Sequence, residues 1–148
     1  MKIEVLSTSE QGVTGGFTHR VTVTAADLTE AAADTAQTIA LLPVNDGCLV
    51  TKAATRVVTP FADASDAAFD TNTITVGDGS DTDRYVTSQQ TNANGSPVNV
   101  KAGTANQQAY VAADTIDLVV NAMAAKSLVN VDTGEVDIYL AVYDLNPA

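Results

Sequence analysis

The sequence predicts an all-β fold, an antiparallel β-sandwich of jelly-roll type behind an N-terminal arm. Three observations predict it. Short runs alternate apolar and polar residues with period two, as Phe17, His19, Val21 and Val23 do against Thr18, Arg20, Thr22 and Thr24. Turn residues punctuate the runs, at Asn45-Asp46-Gly47, Gly77-Asp78-Gly79 and Asp132-Thr133-Gly134. Asp far outnumbers Glu and Thr is abundant; both are poor helix formers, Asp at home in turns and Thr in strands.

Length and charge set the frame. A chain of 148 residues fits one domain, placed at 17–148 behind an arm at 1–16. A domain of this size buries roughly 70% of its unfolded surface, so it folds without a disulfide or metal. Trp is absent and aromatics are 5% of residues, so the core must be Val, Ile, Leu and Ala, with Phe17, Phe61 and Phe69 as its large members. A net charge of -11 repels nucleic acid and anionic membranes. Cys48 is the single cysteine, which rules out an intrachain disulfide and suits a buried apolar position. The N-terminal segment has no signal-peptide core and no apolar run reaches membrane-spanning length, so synthesis in a cytoplasm is expected.

In the arm, Ile3 and Val5 alternate with Lys2 and Glu4, a short strand that could be added to a neighbouring chain. The polar, Gly-rich 7–16 stretch reads as a flexible connector. The alternation at 17–25 is a half-buried strand with His19, the only histidine, on its apolar side, suited to a structural or interface role. Residues 26–35 form a loop with room for one helical turn. Gln37 to Leu42 is a strand stopped by Pro43. Cys48 to Thr59 is a long strand ended by Pro60, and it carries Lys52 and Arg56 on one face. Those two cations face either acidic loops of the same chain or an acidic partner.

A turn at 61–69 tucks Phe61 and Phe69 inward, and Thr73 to Val76 is a strand. The acidic loop Asp78–Asp83 has carboxylates that could invite calcium, but it lacks the spacing and terminal Glu of an EF-hand. Read as turns, it takes positive φ at Gly77 and Gly79. Strands follow at 84–88, 98–101 and 108–112, with an Asn94-Gly95 turn between the first two. Ile116, Leu118 and Val120 mark another strand, and 128–131 with 135–143 reads as a hairpin. In its second arm Val136, Ile138, Leu140 and Val142 face inward, while Glu135, Asp137, Tyr139 and Tyr143 face out. The total is about eight to ten strands, as a jelly roll requires.

No catalytic constellation emerges. One His and one Cys cannot form a His/Cys metal cluster. A Gly-x-Ser-x-Gly elbow and a phosphate loop are both missing. Neither an enzyme nor a bound cofactor or metal is expected.

The stretches TVTAADLT, VTPFADASDAAFDTNTITVGDGSDTDRYV, YVAADTIDLVVNAMAAKSL and GEVDIYLAVYDL resemble small structural proteins of tailed bacteriophages. The resembling features are the Asp-Ala-Ser-Asp-Ala-Ala-Phe connection, the Val-Gly-Asp-Gly turn and the late Gly-Glu-Val strand, in that order, from about residue 20 onward. The resemblance implies a capsid cement or decoration (head stabilisation) protein on the virion exterior. Its partner would be the major capsid protein, its form a homotrimer, and its action the bridging of neighbouring capsid subunits. The interface residues expected are Ile3, Val5, Phe17, His19, Lys52, Arg56, Tyr139 and Tyr143. A tail or fibre module binding host surface glycans is the alternative.

Overall fold

Strands occupy Lys2–Val5 (β1), His19–Thr24 (β2), Gln37–Val44 (β3), Cys48–Ala62 (β4), Thr73–Asp78 (β5), Val86–Gln90 (β6), Val100–Ala102 (β7), Asp114–Val120 (β8) and Thr133–Asp144 (β9). A helix, α1, spans Thr8–Thr14, and 3-10 turns lie at Ala25–Asp27 and Leu128–Asn130. The computed structural model describes residues 1–92, 100–105 and 108–146. The expected Asn94-Gly95 turn and the start of the 98–101 strand lie outside them.

The strands form two antiparallel sheets, one ordered β1-β2-β9-β4-β7 and the other β3-β8-β5-β6. Without β1, the orders 2-9-4-7 and 3-8-5-6 are those of a jelly roll, two Greek keys folded face to face. β1 is an addition that lies along the free edge of β2.

The core fills the space between the sheets. Val21, Val23, Val50, Val57, Val136, Ile138 and Leu140 come from the larger sheet and Ile74, Val76, Ile116, Leu118 and Val120 from the smaller. Inward residues are two apart along each strand because successive side chains alternate faces. Phe61 is buried and lies over Gly134, whose φ of +142 and missing Cβ leave room for the ring. Burying such a ring contributes up to about 3 kcal/mol. Gly103 is squeezed between sheets: a Cβ there would sit 2.2 Å from the Tyr85 carbonyl oxygen.

Several expectations are corrected. Phe17 is not core; it stands half-buried on the outer face, its ring 5.7 Å from that of Tyr139. Thr18 takes the inward position instead, its hydroxyl accepting from Val142 N at 2.9 Å. Pro43 does not stop β3, because β3 is an edge strand and a missing N–H on the free side breaks no ladder. Pro60 does not stop β4, because bulges on both sides of Thr59 already interrupt its pairing with β9.

Residues 108–112 are not a strand. Tyr110 is tied to the 45–48 turn by two backbone bonds of 2.8 Å, to Cys48 and Gly47. Nor does 128–131 form a hairpin arm. Leu128 is fully buried in a 3-10 turn, and β9 pairs with β2 and β4 instead.

The 7–16 stretch is helical where a flexible connector was expected. Ser7 and Glu10 make a capping box, and Gly15 at φ 78 ends the helix in the left-handed conformation. Gly16 N then donates to Gln11 O at 2.7 Å.

Candidate functional site

The outer face of the five-stranded sheet concentrates the cations of this acidic chain. Cross-strand register puts Lys2, Thr22, Asp137, Arg56 and Val100 in one row and Glu4, Arg20, Tyr139, Ala54 and Ala102 in the next. With Lys52, four of the seven basic residues stand on this face. Helix α1 lies over part of it: Leu6, Glu10, Val13 and Thr14 enclose a small cavity with Arg20 and Tyr139.

Beside that cavity runs an apolar groove of ≈ 220 Å3, lined by Thr14, Phe17, Ala54, Thr55, Arg56, Val100 and Tyr139. The structure therefore brings together three of the expected interface residues, Phe17, Arg56 and Tyr139. Lys52 lies nearby, its ammonium donating to the Gly15 carbonyl at the end of α1. Lys126 pairs with Asp66 and Arg84 with Asp78, whereas no ion pair forms at Arg56 among the described residues. Asp137, opposite Arg56, is buried and accepts from Thr22 Oγ1 at 2.6 Å.

The other expected residues lie apart. Ile3 and Val5 are on β1, on the face that continues the core side of the sheet, yet 46% and 75% exposed. The smaller sheet does not cover them. His19 shares that face, half-buried, with Nδ1 2.7 Å from Thr18 Oγ1. Burial lowers its pKa from 6.5, favouring the neutral ring. Tyr143 sits at the far end of β9, exposed.

The acidic loop is organised by Asp78, which is 1% exposed. Its Oδ1 accepts from Ser80 N (3.1 Å), Ser80 Oγ (2.9 Å) and Asp81 N (3.0 Å). Its Oδ2 meets Tyr110 OH at 2.9 Å and Arg84 Nε at 2.6 Å. Burial alone would raise this carboxyl's pKa, but the Ser80, Tyr110 and Arg84 contacts outweigh it and hold the group below the usual carboxylate range.

With both oxygens engaged by donors, Asp78 is an internal anchor, and its neighbour Arg84 is a cation where a metal would stand. Among the described residues no three His, Cys, Asp or Glu side chains gather as a metal cage. Gly77 and Gly79 do not take positive φ as expected. Gly77 is needed because the Asp81 carbonyl oxygen would lie 2.0 Å from a Cβ there.

The partnership of Asp78 with Arg84 and Tyr110 was missed in the sequence, as was the part of Ala54 and Val100 in the groove. No spacing signals either, because Tyr110 reaches Asp78 from 32 residues away. Cys48 has the structural place expected, buried with Sγ 3.4 Å from Asn45 N.

No family model and no curated protein matches the chain. Solved structures do. A chain of the cyanophage Pam1 capsid asymmetric unit superposes with a TM-score of 0.58 at 18% identity, covering 86% of this chain and 82% of its own. A chain of the acidic stable capsid of Helicobacter pylori bacteriophage KHP30 gives 0.53 at 12% identity, covering 85% of this chain and 87% of its own. This chain thus has the fold of those capsid chains over most of the length of each.

Proposed function

We propose that this chain is a bacteriophage virion component, a cement or decoration protein on the capsid exterior that bridges neighbouring subunits of the major capsid protein. One observation carries the reading: two capsid chains share the two-sheet body over most of its length, rather than a fragment of it. The body itself supports a non-enzymatic role. Two of its buried acids, Asp78 and Asp137, and its histidine, His19, are engaged by structural partners.

The contact side is the outer face of the larger sheet. Phe17, Tyr139 and Val100 supply apolar anchorage, and Arg56 a cation for a capsid carboxylate. Copies close into a homotrimer, as a component standing at a local symmetry axis would. Contacts that are modest per copy then add up by multivalency over the shell. The glycan-binding alternative has less support, since the hydroxyls of Tyr85 and Tyr110 beside Asp78 are bonded to each other.

Purified protein added to undecorated particles of its phage should raise their thermal rupture temperature. Arg56→Glu should abolish that rise while leaving the fold's circular dichroism unchanged. An unchanged rupture temperature with wild-type protein would overturn the reading.

A further inference from the structure

We propose that β1 is a self-complementary docking edge, pairing antiparallel with β1 of a second copy about a two-fold axis through Ile3. The inference stands on β1 alone and does not rest on the virion reading. β1 ends the sheet order β1-β2-β9-β4-β7, so its outer side pairs with no strand among the described residues.

The other sheet edges are guarded. β3 carries Pro43 and a bulge after Ala40. On β6 the Lys101 ammonium caps the Thr87 and Ser88 carbonyls. Among the described residues β7 is three residues long. β1 has neither proline nor bulge, and its four-residue register to β2 is unbroken.

Its side chains fit a copy of themselves. With Ile3 opposite Ile3, Lys2 faces Glu4 of the second copy, Glu4 faces its Lys2, and Met1 faces its Val5. Opposite charges then meet on the outer face, extending the pairing that Lys2 and Arg20 already make with Glu4 within each chain. The apolar residues meet on the other face, where Met1, Ile3 and Val5 are 49%, 46% and 75% exposed in the single chain. The pairing would cover that overhang and join two five-stranded sheets into one. A two-fold contact requires such self-complementarity, residue i meeting j and j meeting i.

The test is cross-linking of the full chain carrying Ile3→Cys. Cys48 is buried, so the introduced thiol is the reactive one. Directly opposed Cα atoms in a ladder lie about 4.5–5.5 Å apart, within the separation a disulfide spans. Mild oxidation with oxidised glutathione should give a covalent pair on a denaturing gel. Val13→Cys, at an 88% exposed site on α1, should give at least tenfold less.

The register is read by adding Lys2→Glu or Glu4→Lys to Ile3→Cys. Each variant alone should lose the cross-link, and an equimolar mixture should regain it as a mixed pair. Equal cross-linking at positions 3 and 13, or charge variants that cross-link like the parent, would overturn the pairing. Should Glu4→Lys fail to fold, the comparison of positions 3 and 13 decides alone.

Discussion

A single buried carboxylate, Asp78, does the bonding of a whole loop. Three donors from Ser80 and Asp81 converge on one oxygen, and Tyr110 and Arg84 on the other. Replacing Asp78 by Ala removes the carboxylate partner of the Arg84 guanidinium and the Tyr110 hydroxyl together and leaves them only their bonds to Ser80 and Tyr85. Breaking a fully buried ion pair costs about 3–5 kcal/mol, but the Arg84 side chain is 31% exposed and water recovers part of that. Asp78→Ala should therefore cost about 2–3 kcal/mol, seen as a lower urea midpoint at pH 7. A loss below about 0.5 kcal/mol would mean the network contributes nothing net. Tyr110 is bound into the same unit: burial first, then its bond to Tyr85, pushes its phenol pKa upward. The neutral phenol is thereby favoured, which keeps Tyr110 a donor to Asp78 at pH 7.

Strands and helix differ in how they can be read from the chain. The alternation of Val136, Ile138 and Leu140 marks β9, and that of Ile116, Leu118 and Val120 marks β8, because the inward face of each is apolar, although Asp117 and Asp137 on the opposite faces are buried too. Pro60 misleads because bulges interrupt the ladder around it, and Pro43 because a proline's tolerance depends on whether its N–H side faces a neighbour. That is decided by the sheet order, which no local window contains. Helix α1 is legible in principle. Ser7, Glu10 and Gly15 are its start and stop signals, but seven residues without an apolar stripe look like linker. The groove is half legible: Arg56 and Tyr139 follow from strand parity, whereas Val100 is added only by the pairing of β7 with β4. A helix so short depends on its caps. Ser7→Ala removes the hydroxyl that accepts from Glu10 N and should destabilise α1 by about 1 kcal/mol. Amide exchange at residues 8–14 should accelerate about fivefold while exchange in β9 stays unchanged. Equal acceleration in both would mean that α1 unfolds only with the body.

At the scale of the molecule, two electrostatic effects oppose each other in acid. The net charge of -11 means that protonating carboxylates relieves diffuse repulsion, which favours the fold. Against it stand specific partners. Glu4 is held below its ordinary 4.5 by Lys2 and Arg20, Glu10 by Ser7, and Asp66 below its ordinary 3.8 by Lys126. Asp27 is lowered by the N-terminal ammonium and Thr24 against the effect of burial, as Asp78 is by its own partners. A group with a depressed folded pKa gives stability that is present above its unfolded value and lost as pH falls through the folded one. His19 follows the same sign: its neutral form is favoured in the fold, so its contribution declines as pH drops below 6.5. Diffuse repulsion is screened within about 8 Å at physiological salt, whereas direct contacts are screened much less. The specific partners should therefore win. The urea midpoint should be flat above pH 7, slope gently down from pH 6.5, and fall steeply below the ordinary Glu value of 4.5. His19→Gln should remove the gentle slope and leave the steep limb, which separates the histidine from the carboxylates. A midpoint that rises between pH 5 and pH 3 would reverse the ranking and make charge repulsion the stronger of the two effects in this fold.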